Sequence, residues 1–260
     1  MRSGVKVQKD RSVSVIIAGA GSATRFKQNK VKSKQFLCLS KRPLLFYCLE
    51  KFSLMKEVLE IIVVSNDIQS TKELLKTIDF PCSMDIKITA GGKQRQDSVY
   101  NGFCTVSPLA DLVLIHDVAR PLFNIKDASK CIEKAYISGA AVLAAQIIDT
   151  VKKVKSYNDE LLIENTLNRE ELYTVQTPQV FSYGLLDRAY KMYMNSDSSL
   201  IQFTDEAAMI ELLEKPVNLI IGSRKNIKIT YPEDLEIASF ILEQLESEED
   251  KKLNKECLIK

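Results

Sequence analysis

Residues Val13 to Phe36, V-S-V-I-I-A-G-A-G-S-A-T-R-F-K-Q-N-K-V-K-S-K-Q-F, decide how the rest of the chain is read. Val13, Val15, Ile16 and Ile17 form an apolar, β-branched run that predicts a buried first strand. The run stops at Ala18-Gly19-Ala20-Gly21, where a backbone with almost no side chains can turn sharply and lie close to a ligand. Arg25, Lys27, Lys30, Lys32 and Lys34 follow within ten residues that contain no Asp or Glu. A bare turn beside five uncompensated cations points to a polyphosphate. Glycine turns are common in α/β proteins and lysine-rich loops are often merely solvated, so spacing has to discriminate. The dinucleotide fingerprint G-x-G-x-x-G fails at Thr24, and G-x-x-x-x-G-K-[ST] is absent, which leaves a phosphate loop of another kind.

The 260 residues suffice for one large α/β domain with a well-buried core or for two small ones. With 36 basic and 34 acidic residues the net charge is only +2, so no global field argues for nucleic acid or an anionic membrane. Met1 to Arg11 has no apolar core suited to a signal peptide, and no window approaches the roughly 18 apolar residues of a membrane span. The expectation is a cytoplasmic protein. The six cysteines (Cys38, Cys48, Cys82, Cys104, Cys131, Cys257) include no C-x-x-C pair and the only histidine is His116, so reduced core thiols are expected rather than a zinc site.

Outward from the first strand, apolar spacing predicts a helix over Pro43 to Phe52, a doubly buried strand over Leu59 to Val64, a helix over Ile68 to Ile78 and a strand near Met84 to Thr89. The alternation continues with helix Gln94 to Val106, strand Leu112 to His116, helix Ile125 to Ser138 and strand Ala140 to Ala145. Strands and helices in alternation predict a doubly wound, mostly parallel sheet with ligands at the carboxyl ends of its strands. Between Thr150 and Tyr173 the rhythm breaks. Val151 to Lys155 and Leu161 to Glu164, around the polar cluster Ser156-Tyr157-Asn158-Asp159, predict a hairpin arm that packs either on a partner subunit or back on its own sheet. Helices over Tyr183 to Met194, Asp205 to Leu213 and Pro232 to Leu245, a strand over Val217 to Ile221, and a frayed tail from about 246 to 260 complete a single domain.

Several further stretches hold polar chemistry at strand ends. Gly91-Gly92-Lys93-Gln94-Arg95-Gln96-Asp97-Ser98-Val99 opens a helix, and either its N-terminal amides face a ligand or the stretch is a plain turn with a capped helix. In His116-Asp117-Val118-Ala119-Arg120-Pro121 a carboxylate stands where it suits Mg²⁺ or a substrate hydroxyl, with Arg120 as a candidate structural ion-pair partner. His116 is read as structural, since a phosphate nucleophile ionised at neutral pH needs no general base. Asn168-Arg169, Gln176-Thr177-Pro178-Gln179 and Asn226-Ile227-Lys228-Ile229-Thr230 each set polar residues beside a strand-like segment.

Taken in order, A-G-x-G-x-x-T-R-F, S-K-Q-F, G-G-K-x-R-Q-D-S-V, H-D-V-A-R-P, D-T-V-K, N-R-E-E-L, Q-T-P-Q-V-F, T-D-E-A and N-I-K-I-T-x-P-E-D-L resemble the 2-C-methyl-D-erythritol 4-phosphate cytidylyltransferases from about Val13 to Leu242. The resemblance implies a Rossmann-like nucleotidyltransferase fold, a homodimer through the arm at about 150–173, Mg²⁺ as cofactor, and transfer of cytidylyl from CTP to methylerythritol phosphate. It implies that Arg25, Lys34, Arg169 and Lys228 are catalytic and that Ala18, Gly19, Ala20, Gly21, Gly91, Gly92, Ser98 and Asp117 bind the nucleotide. Asp117, Thr150, Arg169, Thr177 and Lys228 would bind the acceptor, with Thr150 and Arg169 reaching into the partner's site and Asp117 the one metal candidate.

Two departures from the family pattern stand out. Ser33 replaces the usual proline before Lys34 in a loop that is also longer, which leaves that loop less restrained. Asn168 replaces an aspartate beside Arg169. Rival readings are a ribitol 5-phosphate cytidylyltransferase and a non-catalytic nucleotide-binding regulator. All of the transferase readings require Lys34 and Lys228 to share one cleft.

Overall fold

The computed structural model describes residues 12–21, 25–26, 33–78, 84–195 and 203–257, the backbone alone at 195 and 249–257. Lys27, Lys30, Lys32, Cys82 and the segment Ser22 to Thr24 lie outside the described residues. β1 (Val13–Ala18) sorts the interior into two layers by its alternation. Val13, Val15 and Ile17 join one apolar cluster, and Ile16 joins the other. The chain continues through a short ribbon, β2 (Cys38–Leu39) and β3 (Arg42–Pro43), to α1 (Leu44–Ser53), β4 (Val58–Ser65), α2 (Ile68–Lys76) and β5 (Asp85–Ala90). Then come α3 (Arg95–Phe103), β6 (Leu112–Asp117), α4 (Ile125–Ser138), β7 (Ala140–Gln146), β8 (Lys152–Tyr157), β9 (Glu160–Thr166) and β10 (Tyr173–Ser182). α5 (Tyr183–Asn195), α6 (Glu206–Leu212), β11 (Asn218–Ile221) and α7 (Pro232–Cys257) follow.

Seven strands form one sheet in the order β11-β7-β10-β6-β1-β4-β5. β1 runs parallel to β4 and β6, β4 to β5, and β7 to β11, while β10 is antiparallel to both its neighbours. Leu45, Leu49 and Phe52 of α1, Cys131 and Ile132 of α4, and Ala238 and Leu242 of α7 cover one face. Val99 and Phe103 of α3, Leu186 and Tyr190 of α5, and Met209 and Ile210 of α6 cover the other. The expected α/β architecture is therefore present. β10, inserted mid-sheet against the parallel direction, is the element the periodicity did not mark, because Gln176-Thr177-Pro178-Gln179 interrupts its apolar pattern. The sheet accommodates that interruption with a register shift between Val175 and Gln179 against β7.

Two other expectations change. α7 continues past Leu245, where fraying was expected, to Cys257. Within it Glu248 meets Lys225 at 3.5 Å. Cys38 and Cys104 are exposed rather than core thiols, whereas Cys48 and Cys131 are buried and their thiols are pushed up to about 12 by burial.

β8 and β9 form their own two-stranded sheet, turning through Asn158 and Asp159 at positive φ of 49° and 63°. Such a two-residue turn matches the twist of the strands it joins. Every residue of both strands is exposed, including Leu161 at 74% and Ile163 at 64%, so the arm does not fold back on its own sheet.

Gly102 sets how closely α3 approaches the sheet. A Cβ there would lie 2.8 Å from Ile16 Cγ2 and 3.0 Å from Val64 Cγ2. Gly102→Ala is expected to cost about 1–3 kcal/mol through overpacking, read as a lowered urea midpoint with an unchanged slope.

Candidate active site: a cationic cleft at the strand ends

The strand order reverses at β1, whose neighbours β4 and β6 come from crossovers in opposite directions, and a cleft of about 590 Å³ opens at that point. Ala18, Ala20 and Gly21 of the glycine turn form its floor. Arg25, Lys34, Asn66, the stretch Gly92 to Arg95, Ser98, Asp117 to Ala119, Lys228 and Thr230 complete the wall. Lys34 and Lys228 thus share one cleft, as the transferase readings require.

Among the described residues that line the cleft, Asp117 is the only carboxylate. Lys228 Nζ lies 2.6 Å from one of its oxygens and Arg95 Nη2 3.4 Å from the other. Burial pushes this carboxyl up, but the charges of Arg95 and Lys228 outweigh burial and hold it well below the carboxylate range. Arg95 is held in turn by Glu206, a wholly buried carboxylate whose two oxygens accept from Nη1 at 2.9 and 2.8 Å. Burial disfavours both charges and raises the Glu206 carboxyl, while Glu206 and Asp117 raise Arg95; the guanidinium stays charged, and its two hydrogen bonds to Glu206 oppose the effect of burial on that carboxyl. Lys34 donates to the Ile229 carbonyl at 3.0 Å, and its pKa is lowered by burial and then by Lys228 and Arg25. The Arg25 guanidinium stacks over the Tyr231 ring, 5.1 Å from its centroid.

The glycine turn is crowded from below. A Cβ on Gly19 would lie 2.5 Å from Gln35 Oε1 and 2.9 Å from the Val64 carbonyl, so no larger residue fits. Asn66 Nδ2 donates to the Ala20 carbonyl at 2.7 Å. Ser33 is buried, and its hydroxyl donates to the Gly19 carbonyl at 2.8 Å. Ser33 itself is therefore held, while most of the loop before it lies outside the described residues.

At the second glycine pair, the Gly92 amide donates to the Ser98 hydroxyl at 2.9 Å, and the Asp97 carboxylate accepts from the Gln94 amide at 3.0 Å. α3 is thus capped by its own carboxylate, and Gly92 and Ser98 at the same end also line the cleft. Gly91 is absent from the cleft wall and bonds by its amide to the Ser65 carbonyl.

Other candidates sit elsewhere. Arg120 is not the ion-pair partner of Asp117, for its guanidinium donates to the Asn226 carbonyl at 2.8 Å and the Val175 carbonyl at 3.4 Å. Thr177 is buried behind Asp117, where its hydroxyl accepts from the Asp117 amide at 3.0 Å and meets His116 Nδ1 at 3.1 Å. It therefore shapes the site from behind the wall. Thr150 and Arg169 are exposed and outside this cleft, with Arg169 Nη1 on the Ile148 carbonyl at 2.6 Å. Asn168 caps that turn, accepting from the Glu170 amide at 3.3 Å and donating to Glu171 at 3.1 Å. Arg95, Lys93, Asn66 and Glu206 were not singled out from the sequence, although Lys93, Arg95 and Glu206 fall inside G-G-K-x-R-Q-D-S-V and T-D-E-A. Among the described residues no three His, Cys, Asp or Glu side chains gather as a metal cluster.

The family model for 2-C-methyl-D-erythritol 4-phosphate cytidylyltransferase matches residues 13–244. A protein of that name from Solibacter usitatus is 35% identical over 239 residues, covering 89% of this chain and 96% of the relative. One from Desulforamulus reducens is 37% identical over 236 residues, covering 90% and 97%. The solved structure of 4-diphosphocytidyl-2C-methyl-D-erythritol synthase from Anaerococcus prevotii superposes with a TM-score of 0.76 at 29% identity, covering 90% of this chain and 97% of that one.

His116 is fully buried between Phe52 and Phe123, and burial lowers its pKa from 6.5 to about 3. The unfolded chain therefore takes up a proton below the ordinary histidine value that the folded chain refuses, so stability falls as pH drops below 6.5. Urea unfolding at a series of pH values between about 6.5 and 5 should show His116→Asn free of a loss that approaches about 1.4 kcal/mol per pH unit in the parent.

Proposed function

This chain belongs to the 2-C-methyl-D-erythritol 4-phosphate cytidylyltransferase family, and from that premise we propose that it transfers cytidylyl from CTP to 2-C-methyl-D-erythritol 4-phosphate. The products are 4-diphosphocytidyl-2-C-methyl-D-erythritol and pyrophosphate. The observation that carries the reading is the meeting of Arg25, Lys34 and Lys228, brought from distant parts of the chain, around a glycine turn and one carboxylate in a cleft of nucleotide size. A nucleoside triphosphate and a sugar phosphate are both found in the cytoplasm, where the reading puts the protein.

A phosphate oxygen of the acceptor attacks the α-phosphorus of CTP, and the bond from that phosphorus to the pyrophosphate oxygen breaks in line. Attacker, centre and leaving group are all anionic, so the barrier is one of charge and position, and no proton needs to move. In this reading Arg25 and Lys34 neutralise the triphosphate over the floor formed by Ala18, Ala20 and Gly21, with Gly19 packed beneath it. Lys228 meets the acceptor phosphate, and Asp117 holds it in place between turnovers. Gly92 and Ser98 fix the face of α3 against which the base lies. His116 stays neutral at working pH and serves packing.

Mg²⁺ fits the donor set, because such an ion is commonly held by one or two carboxylates plus substrate phosphates, and Asp117 supplies a cleft-lining, ionised carboxylate. When bound it would neutralise phosphate charge. The exposed apolar face of the arm, with Val154, Leu161 and Ile163, supports a homodimer in which Thr150 and Arg169 reach the acceptor in the partner's cleft.

Mixing the protein with CTP, Mg²⁺ and methylerythritol phosphate should release pyrophosphate and yield the cytidylylated product, while ribitol 5-phosphate should not. Turnover with ribitol 5-phosphate alone, or nucleotide binding with no turnover, would overturn the assignment. Lys34→Ala should lower kcat by about 10²–10³ with an unchanged circular dichroism spectrum. Leu161→Asp combined with Ile163→Asp should halve the mass seen by sedimentation equilibrium, and a parent already monomeric would refute the dimer.

A further inference from the structure

Lys34 enters the cleft from a single 3-10 turn, Lys34–Phe36. A lysine is a point charge on a flexible stem, so the position of its ammonium group depends on how firmly its backbone is held. On the far side of Lys34, Gln35 is fully buried, and its Nε2 donates to Ser65 Oγ at 2.7 Å and Thr71 Oγ1 at 3.0 Å, which fastens the turn to the ends of β4 and α2. On the near side, the Ser33 hydroxyl donates to the Gly19 carbonyl at 2.8 Å and reaches the Gly21 carbonyl at 3.5 Å. The Lys34 amide itself meets the Gly21 carbonyl only at 3.5 Å. Gln35 thus secures Lys34 to the scaffold, whereas Ser33 secures it to the floor on which a triphosphate would lie.

The backbone at Ser33 has φ −135° and ψ 143°. A proline ring fixes φ near −65° and has no hydrogen to donate, so the contact seen here depends on the serine hydroxyl. Ser33 is 4% exposed, which leaves no water to replace the hydroxyl if it is removed. We propose that Ser33 is a positioning residue for Lys34: its hydroxyl locks the cleft cation to the carbonyls of the glycine turn, so that cation and floor keep one spacing. Its effect on turnover rests on the cytidylyltransferase reading; its effect on where Lys34 sits does not.

Ser33→Ala removes one buried bond and is expected to lower kcat about tenfold while changing the KM for CTP by less than about twofold. In a Lys34→Ala background the same change should cost nothing further, because the residue through which Ser33 acts is gone. A second readout needs no turnover. Trace acetylation of the ligand-free protein, followed by peptide mass spectrometry with exposed Lys126 as internal reference, should label Lys34 faster in Ser33→Ala than in the parent. A kcat equal to that of the parent, or a loss of the same size in both backgrounds, would overturn the proposal. If the parent makes no product, the activity assignment fails and labelling decides: faster modification of Lys34 in Ser33→Ala supports the role, and an equal rate refutes it.

Discussion

The contact of Lys228 Nζ with the Asp117 carboxylate at 2.6 Å is the interaction on which the site turns. Arg25, Lys34, Arg95 and Lys228 share the same cleft wall, and the charges of Lys228 and Arg25 lower the Lys34 pKa. One carboxylate in their midst makes the gathering tolerable. Asp117 can serve because its backbone is fixed on both sides, as the last residue of β6 and by its amide bond to Thr177 on the neighbouring β10. The antiparallel insertion of β10 is therefore part of the site's foundation as well as of the sheet.

The two-residue period of β6 also separates two kinds of chemistry. His116 points into the layer that holds Phe52 and Phe123, where the imidazole loses its proton to burial. Its neighbour Asp117 points the opposite way, toward α3 and α6, where Arg95 and Glu206 wait. Adjacent residues thus end as a neutral packing group and a permanent anion, decided by which face of one strand each occupies.

Much of this was legible in the sequence, for a reason that also explains what was not. Strands such as Leu112 to Asp117 and helices such as Ile125–Ser138 announce themselves through local periodicity, and Gly19 announces a turn. β10 stayed hidden because its polar centre and proline are tolerated only with a shifted register, a property of the neighbours and not of its own residues. Arg95 and Glu206 lay inside recognised motifs, yet nothing local tells that α3 and α6 bring a guanidinium and a carboxylate together. Ser33 shows a contact that composition does not announce. Losing a proline suggested a looser segment, since the chain-entropy argument sees the unfolded state and not the carbonyl that a hydroxyl finds on folding. Arg120 failed for a like reason, because nearness in sequence to Asp117 does not aim a side chain.

Four cations of this wall already have company within the protein: Lys34 a carbonyl, Arg25 an aromatic ring, Lys228 and Arg95 carboxylates. At these four an arriving polyphosphate must trade places with internal counterparts. Such barter moderates the grip, and it works equally in reverse. When a pyrophosphate departs, ring, carbonyl and carboxylate are at hand to receive what it releases, so a strongly basic cleft need not become a trap for its own product.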